Sequence, residues 1–169
     1  MTHLLILISV ALMWTTVTGV PLTNKVDLTD STYLVGATKV TVSPDNKHVF
    51  AATINTDAVV YWDRNTTTGA LTNQVNLQDS TNLEQVRSVT VSPDGKHVYA
   101  VGDVSDSIVH WNLDATIGLT NQINLVDKTN LNGAFDVVVS PDNNNVYVVA
   151  RNSDSIVYWN RDATTGTLS

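Results

Sequence analysis

The sequence predicts an all-β fold assembled from repeated four-stranded antiparallel units, and three observations carry that prediction. The first is repetition. Leu-Thr-Asn opens a unit at Leu22, Leu71 and Leu119, Ser-Pro-Asp follows at Ser43, Ser92 and Ser140, and Trp62, Trp111 and Trp159 recur at one offset. A period of 48–49 residues marks an array in which one supersecondary unit cannot bury its apolar faces alone. The second is local: short runs rich in Val, Ile, Thr and Tyr alternate with Pro, Gly, Asn and Asp turn signals. The third is that no stretch after residue 21 keeps an apolar period of about 3.6, so helix does not compete.

Taken in order, the chain opens on MTHLLILISVALMW, its long apolar run. The run has the length of a signal-peptide h-region and falls short of the roughly 20 residues a membrane-crossing helix needs. We read residues 1–19 as a signal peptide, with Val17 and Gly19 as the small residues before a cut at Val20, although the n-region holds His3 and no Lys or Arg. A secreted or extracytoplasmic location is therefore expected. Residues 20–169 form one repeat domain with units 22–70, 71–118 and 119–167.

The second unit shows the strands most clearly. Residues 86–92 (VRSVTVS) are rich in β-branched side chains and end at Pro93, which cannot donate to a ladder. Ser92-Pro93-Asp94-Gly95 is a turn: Pro presets φ, Asp tolerates the next position and Gly frees the exit. Residues 97–101 (HVYAV), 107–112 (SIVHWN) and 119–125 (LTNQINL) supply three more strands. The units differ in length only after the hairpin glycine, where an insertion changes no register. Runs such as Val98-Tyr99-Ala100-Val101 are apolar at consecutive positions, so both faces of the sheet should be covered. Four-stranded sheets stacked face to face around an axis are β-propeller blades.

At residues 92–100 (SPDGKHVYA) and 153–166 (SDSIVYWNRDATTG), with the Leu that follows, the sequence resembles the YVTN-type, lactonase-like seven-bladed β-propeller repeats. The resemblance spans roughly residues 22–168. It implies a propeller fold and, for the enzymatic members, lactonase or cycloisomerase chemistry carried by charged side chains at the central channel. Three units do not close a ring, since propellers run from about four to eight blades. An orphan fourth-type strand at 22–28 precedes the units, and the last unit stops at Thr167-Leu168-Ser169. The expectation is a partial propeller, continued on a longer chain or closed by a second copy into a six-bladed homodimeric ring.

Composition narrows the function classes. A net charge of −7 with nine dispersed basic residues excludes a nucleic-acid partner, which needs clustered Lys and Arg. Cysteine is absent, so thiol chemistry is too. No cofactor or metal is expected: no pair of the four His has zinc-ligand spacing, and the loops around Asp57, Asp103–Asp106 and Asp154 lack the alternation of a calcium loop. We expect those loop carboxylates to satisfy local backbone donors. His48 and His97 share a position that Asn145 fills in the third unit, which reads as exposed polar surface; His110 stands where the others have Tyr61 and Tyr158, which reads as packing.

The candidate site residues follow from the repeat. Trp62, Trp111 and Trp159 either fill the space between blades or present ligand platforms. Lys39, Arg87 and Asp136 open the innermost strands and differ against a repetitive background, so Arg87 with Lys39 and Glu84 is the channel-site candidate; strand-end surface charge is the plainer reading. Asn65-Thr66-Thr67 is a glycosylation sequon. The expected function is a non-catalytic binding or structural module, with a lactonase-like enzyme as the alternative.

Overall fold

In the computed structural model residues 25–169 are described; the signal peptide expected over 1–19 and the start of the strand expected over 22–28 lie outside them. The described residues form three antiparallel meanders. The first blade is β1 (Ala37–Val42), β2 (His48–Thr53), β3 (Ala58–Arg64) and β4 (Leu71–Gln78); the second is β5 (Val86–Val91), β6 (His97–Gly102), β7 (Ser107–Asp114) and β8 (Gly118–Val126). The third has β9 (Ala134–Val139), β10 (Asn145–Ala150) and β11 (Ser155–Asn160), and its third hairpin, toward a fourth strand, is marked by an Arg161–Leu168 bridge.

The Ser-Pro-Asp triplet builds the first hairpin of every blade from its side chains. The Ser43 hydroxyl accepts the His48 N–H at 2.9 Å while the Asp45 carboxylate accepts the Lys47 N–H at 3.0 Å. Ser92 with Asp94 and Ser140 with Asp142 repeat both bonds. The residue after each Asp sits at positive φ (Asn46 63°, Gly95 71°, Asn143 66°), which is why only Asn and Gly appear there.

The inner strands β1, β5 and β9 lie side by side, and the core is the joint between blades. Phe50, Ala52, Val59 and Tyr61 on the back of the first blade pack against Leu83, Val86, Val89, Val98 and Trp111 on the front of the second. Tyr99, Val101 and Ile108 meet Leu131, Ala134, Val137, Val146 and Val148 in the same way. As expected for sheets covered on both faces, every position of β2 and β6 is buried, whereas β10 at the end of the arc alternates.

Two expectations are corrected. His48 and His97 are not surface residues, being 5% and 2% exposed. The strand period of two puts each on the same face as Phe50 or Tyr99, against the next blade; Asn145 was a poor guide because no blade covers that face of the third. The part of the 22–28 strand that can be described is not a strand. β3 and β7 already carry β4 and β8, and β11, whose outer edge holds no full strand, is in the blade at the other end of the arc.

Candidate channel site

Each inner strand carries a β-bulge near its start. The register passes from Ala37 to Lys39, from Val86 to Ser88 and from Ala134 to Asp136, leaving Thr38, Arg87 and Phe135 without a partner on the neighbouring strand. A bulge bends the strand and re-aims the extra side chain. Thr38, Arg87 and Phe135 accordingly line one cleft of about 490 Å³ with Lys39, Asp136 and Val149.

Asp103, at the turn after β6, organises this cleft. Its buried carboxylate accepts Arg87 Nε at 2.8 Å and Nη2 at 2.7 Å, and Arg151 Nη2 from the third blade at 2.6 Å. Both guanidinium carbons stand 5.7 Å from the centroid of the Phe135 ring, so the ring and the carboxylate together fix two cations. Beside them Asp136 Oδ1 accepts the Ser88 hydroxyl at 2.6 Å and the Lys39 ammonium at 3.4 Å. Three cations and two carboxylates leave this patch positive in a chain whose net charge is −7.

The structure thus brings Lys39 and Arg87 together and leaves Glu84 out; Glu84 is exposed on the approach to β5 and does not line the cleft. The bulges also correct the alignment of the varied positions: Lys39 matches Ser88 and Asp136, while Arg87 matches Thr38 and Phe135. Sequence reasoning missed Arg151 and the part played by Asp103. They share a column with Ile54, and the variation that drew attention to Arg87 is present there too.

The other candidates lie elsewhere. Trp111 is buried in the joint between the first two blades and Trp62 on the front of the first blade among Val49, Ala51, Val60, Tyr33 and Leu34; they donate their indole N–H to Gln122 at 3.1 Å and Gln74 at 3.0 Å, and Trp159 is half-buried. Asn65 is exposed in the β3–β4 hairpin, its side-chain oxygen accepting the Thr67 and Thr68 N–H groups. Asp57 and Asp106 bond not their own turns but the next blade, accepting the N–H of Gln85 at 2.8 Å and of Gly133 at 3.2 Å. No cluster of metal-ligating side chains occurs among the described residues.

Blades packed front to back about inner strands, with a charged cleft where those strands begin, define an arc of a β-propeller. Residues 37–169 match the family Lactonase, 7-bladed beta-propeller, and the chain belongs to that family. It is similar to a putative 6-phosphogluconolactonase from Bacteroides uniformis (21% identity, TM-score 0.65, covering 80% of this chain and 39% of that one). It is also similar to a protein from Lactobacillus plantarum (23%, TM-score 0.69, 80% and 40%) and to a periplasmic gluconolactonase from Pseudomonas aeruginosa (19%, TM-score 0.62, 78% and 39%). A search of curated proteins gave no match. The chain spans about two fifths of the length of these solved relatives. Membership of this family overturns the expected non-catalytic interaction module in favour of the lactonase-like alternative.

Proposed function

We propose that the chain forms the carbonyl- and anion-binding side of a lactone-hydrolysing propeller that acts on an acidic sugar lactone. The observation that supports this reading is the positive cleft around Asp103 in a member of the lactonase family. As water adds to a lactone carbonyl, negative charge builds on the oxygen, and a fixed donor aimed there lowers the barrier. Arg87 fits that role. Its fork carries five N–H donors, Asp103 engages it through two of its nitrogens, and its half-buried position keeps the remainder facing the cleft. Lys39 and Arg151 attract the phosphate or carboxylate of the sugar. Asp136, held between Ser88 and Lys39, takes the proton from the attacking water. The new bond joins the water oxygen to the carbonyl carbon, the ring C–O bond breaks, and the proton passes to the departing ring oxygen, giving the open-chain acid.

The names carried by the relatives make 6-phosphoglucono-δ-lactone and glucono-δ-lactone the first substrates to try. Acid release should exceed spontaneous ring opening, and Arg87→Ala should lower kcat/KM by about 100-fold with the circular dichroism unchanged. A wild-type rate equal to the spontaneous one, or an unaffected Arg87→Ala variant, would overturn the proposal. The apolar run before Val20 supports an extracytoplasmic site of action, and N-terminal sequencing of the exported protein would test it, with Val20 as the expected first residue.

A further inference from the structure

The hairpin between β3 and β4 holds the one Asn-x-Thr triplet of the chain, Asn65-Thr66-Thr67, and folds around the side chain of its first residue. Asn65 Oδ1 accepts the N–H groups of Thr67 and Thr68, both at 2.9 Å. The backbone closes the same loop, the Asn65 N–H donating to the Ala70 carbonyl and the Gly69 N–H to the Asn65 carbonyl, each at 2.8 Å. Both lone pairs of the amide oxygen are therefore engaged. The amide nitrogen Nδ2 and the Thr67 hydroxyl have no hydrogen-bond partner among the described residues, and residues 65–70 are all exposed.

The other two units make the same turn with a carboxylate. Asp114 Oδ1 accepts the Thr116 and Ile117 N–H groups at 2.7 and 3.1 Å, and Asp162 Oδ1 those of Thr164 and Thr165 at 2.7 and 3.0 Å. A threonine stands two residues further on in every unit, so Asn65 alone converts the shared turn into an acceptor triplet. The internal blades also show how this hairpin sits beside a neighbour. A Cβ at Gly118 or Gly166 would strike Tyr61 or His97 of the preceding blade, so the hairpin packs there through its glycine. Residues 114–116 and 162–164 are exposed all the same. A blade lying before the first would cover Gly69 in this way and leave Asn65, Thr66 and Thr67 in solvent. The Arg64 N–H donates to the Lys47 carbonyl at 2.6 Å, tying the hairpin to the Ser-Pro-Asp turn at the end of the blade opposite the bulges.

We propose that Asn65 accepts an N-linked oligosaccharide as the chain passes through a secretory compartment, an assignment that rests on the extracytoplasmic site of action proposed above. The donor is a lipid-linked oligosaccharyl diphosphate. Asn65 Nδ2 bonds to C1 of the first sugar, the bond from C1 to the diphosphate oxygen breaks, and one Nδ2 proton is lost as the lipid diphosphate departs. An amide nitrogen shares its lone pair with its carbonyl and is a weak nucleophile, so its pose matters. Here Oδ1 is tied back onto the backbone, which leaves Nδ2 facing solvent and the Thr67 hydroxyl free to be read. Every bond of the turn lies between residues 65 and 70, so the pose forms without the rest of the blade. A bulky glycan at this end of the blade leaves the cleft around Asp103 open.

The full chain, produced in a eukaryotic secretory host with a cleavable signal sequence supplied ahead of Met1, tests the acceptor independently of the chain's own export. Mass spectrometry of the secreted protein should show one N-linked glycan, and peptide N-glycosidase should remove it and leave a carboxylate at position 65. Thr67→Ala and Asn65→Asp should each abolish the added mass. Both variants should fold, because the Thr67 hydroxyl makes no bond and an aspartate anchors this turn in the other two units. Asp114→Asn places an Asn-x-Thr triplet in the same turn of the second blade and should add a second glycan at position 114. A secreted wild type without the glycan, a glycan that survives Asn65→Asp, or an Asp114→Asn variant that gains nothing would overturn the assignment. The chain without the supplied signal reads export separately: its absence from the medium would refute the extracytoplasmic site of action and leave the acceptor result standing.

Discussion

Replacing Arg161 by alanine removes the cation at the centre of the second joint, and the structure sets the size of the loss. The side chain is fully buried. Nε donates to the Tyr99 hydroxyl at 2.9 Å, Nη1 donates to the Asn143 carbonyl at 2.9 Å, and Nη2 lies 3.1 and 3.2 Å from the Asp94 carboxylate oxygens and 2.6 Å from His97 Nδ1. Arg161→Ala leaves that carboxylate unneutralised against a cavity, which should cost about 3–5 kcal/mol. Arg161→Leu fills the space but takes the donor from the Asn143 carbonyl, the Tyr99 hydroxyl oxygen and the Asp94 carboxylate, for about 2–4 kcal/mol. The first joint occupies the same positions with Leu113 and Phe50. Adding Tyr99→Phe to Arg161→Leu removes the hydroxyl that Arg161 Nε served, so the double variant should lose at least about 0.5 kcal/mol less than the sum of the two single changes while Asp94 stays unneutralised. Urea unfolding followed by tryptophan fluorescence reads the cycle, with Trp111 and Trp159 close to the joint. Single effects that add to within 0.3–0.5 kcal/mol would refute the claim that the two residues act as a pair.

Further outcomes are expected at other sites. Trp111→Ala should cost about 3–5 kcal/mol in the same urea assay, because the ring is buried between the first two blades. Burial, with Arg161 beside it, pushes the His97 pKa down to about 4, so below its ordinary 6.5 the unfolded chain binds the proton first; stability is full above pH 6.5 and falls as pH drops toward 4. Burial lowers His110 in the same direction. Thermal melts from pH 7 to pH 4 should show the decline, and His97→Asn should flatten it while costing about 1–2 kcal/mol at pH 7 through lost packing on Gly166 and Arg161. Asp103→Ala should release both guanidinium groups and reduce lactone kcat/KM about 100-fold, whereas Glu84→Gln should leave it unchanged because Glu84 lies outside the cleft.

The blades were legible in the sequence because their determinants are local and repeated three times. The Ser-Pro-Asp turn, the β-branched runs and the alternation of β8 each name their element without reference to the rest of the chain. Helix never competed, and the one length difference falls in a hairpin. The site was only partly legible. Arg87 and Lys39 were found because they differ from their neighbours in the repeat, but Asp103 and Arg151 meet from different blades across 48 residues of sequence, and nothing local joins them. The histidines misled for a related reason. A residue's exposure in a blade depends on whether another blade lies over it, so Asn145 described the end of the arc and not the position. Arg161 was overlooked because its equivalent in the second unit is Leu113, and only the joint shows that each comes with a matching partner.

The bulges have a consequence for how such a channel changes over evolutionary time. Thr38, Arg87 and Phe135 stand outside the pairing register of their strands, so an exchange at any of them breaks no ladder bond, although Thr38 Oγ1 donates to the Val86 and Arg87 carbonyls of the next blade and Phe135 lies against two guanidinium groups. Every copy of the repeat therefore arrives with one position at the channel mouth that is uncoupled from the strand ladder. Duplication multiplies a ready-made scaffold, and each duplicate adds one residue whose exchange leaves the strand register intact. A hydroxyl, a guanidinium and an aromatic ring already occupy three such positions in this chain, although the blades around them remain close to one another in sequence.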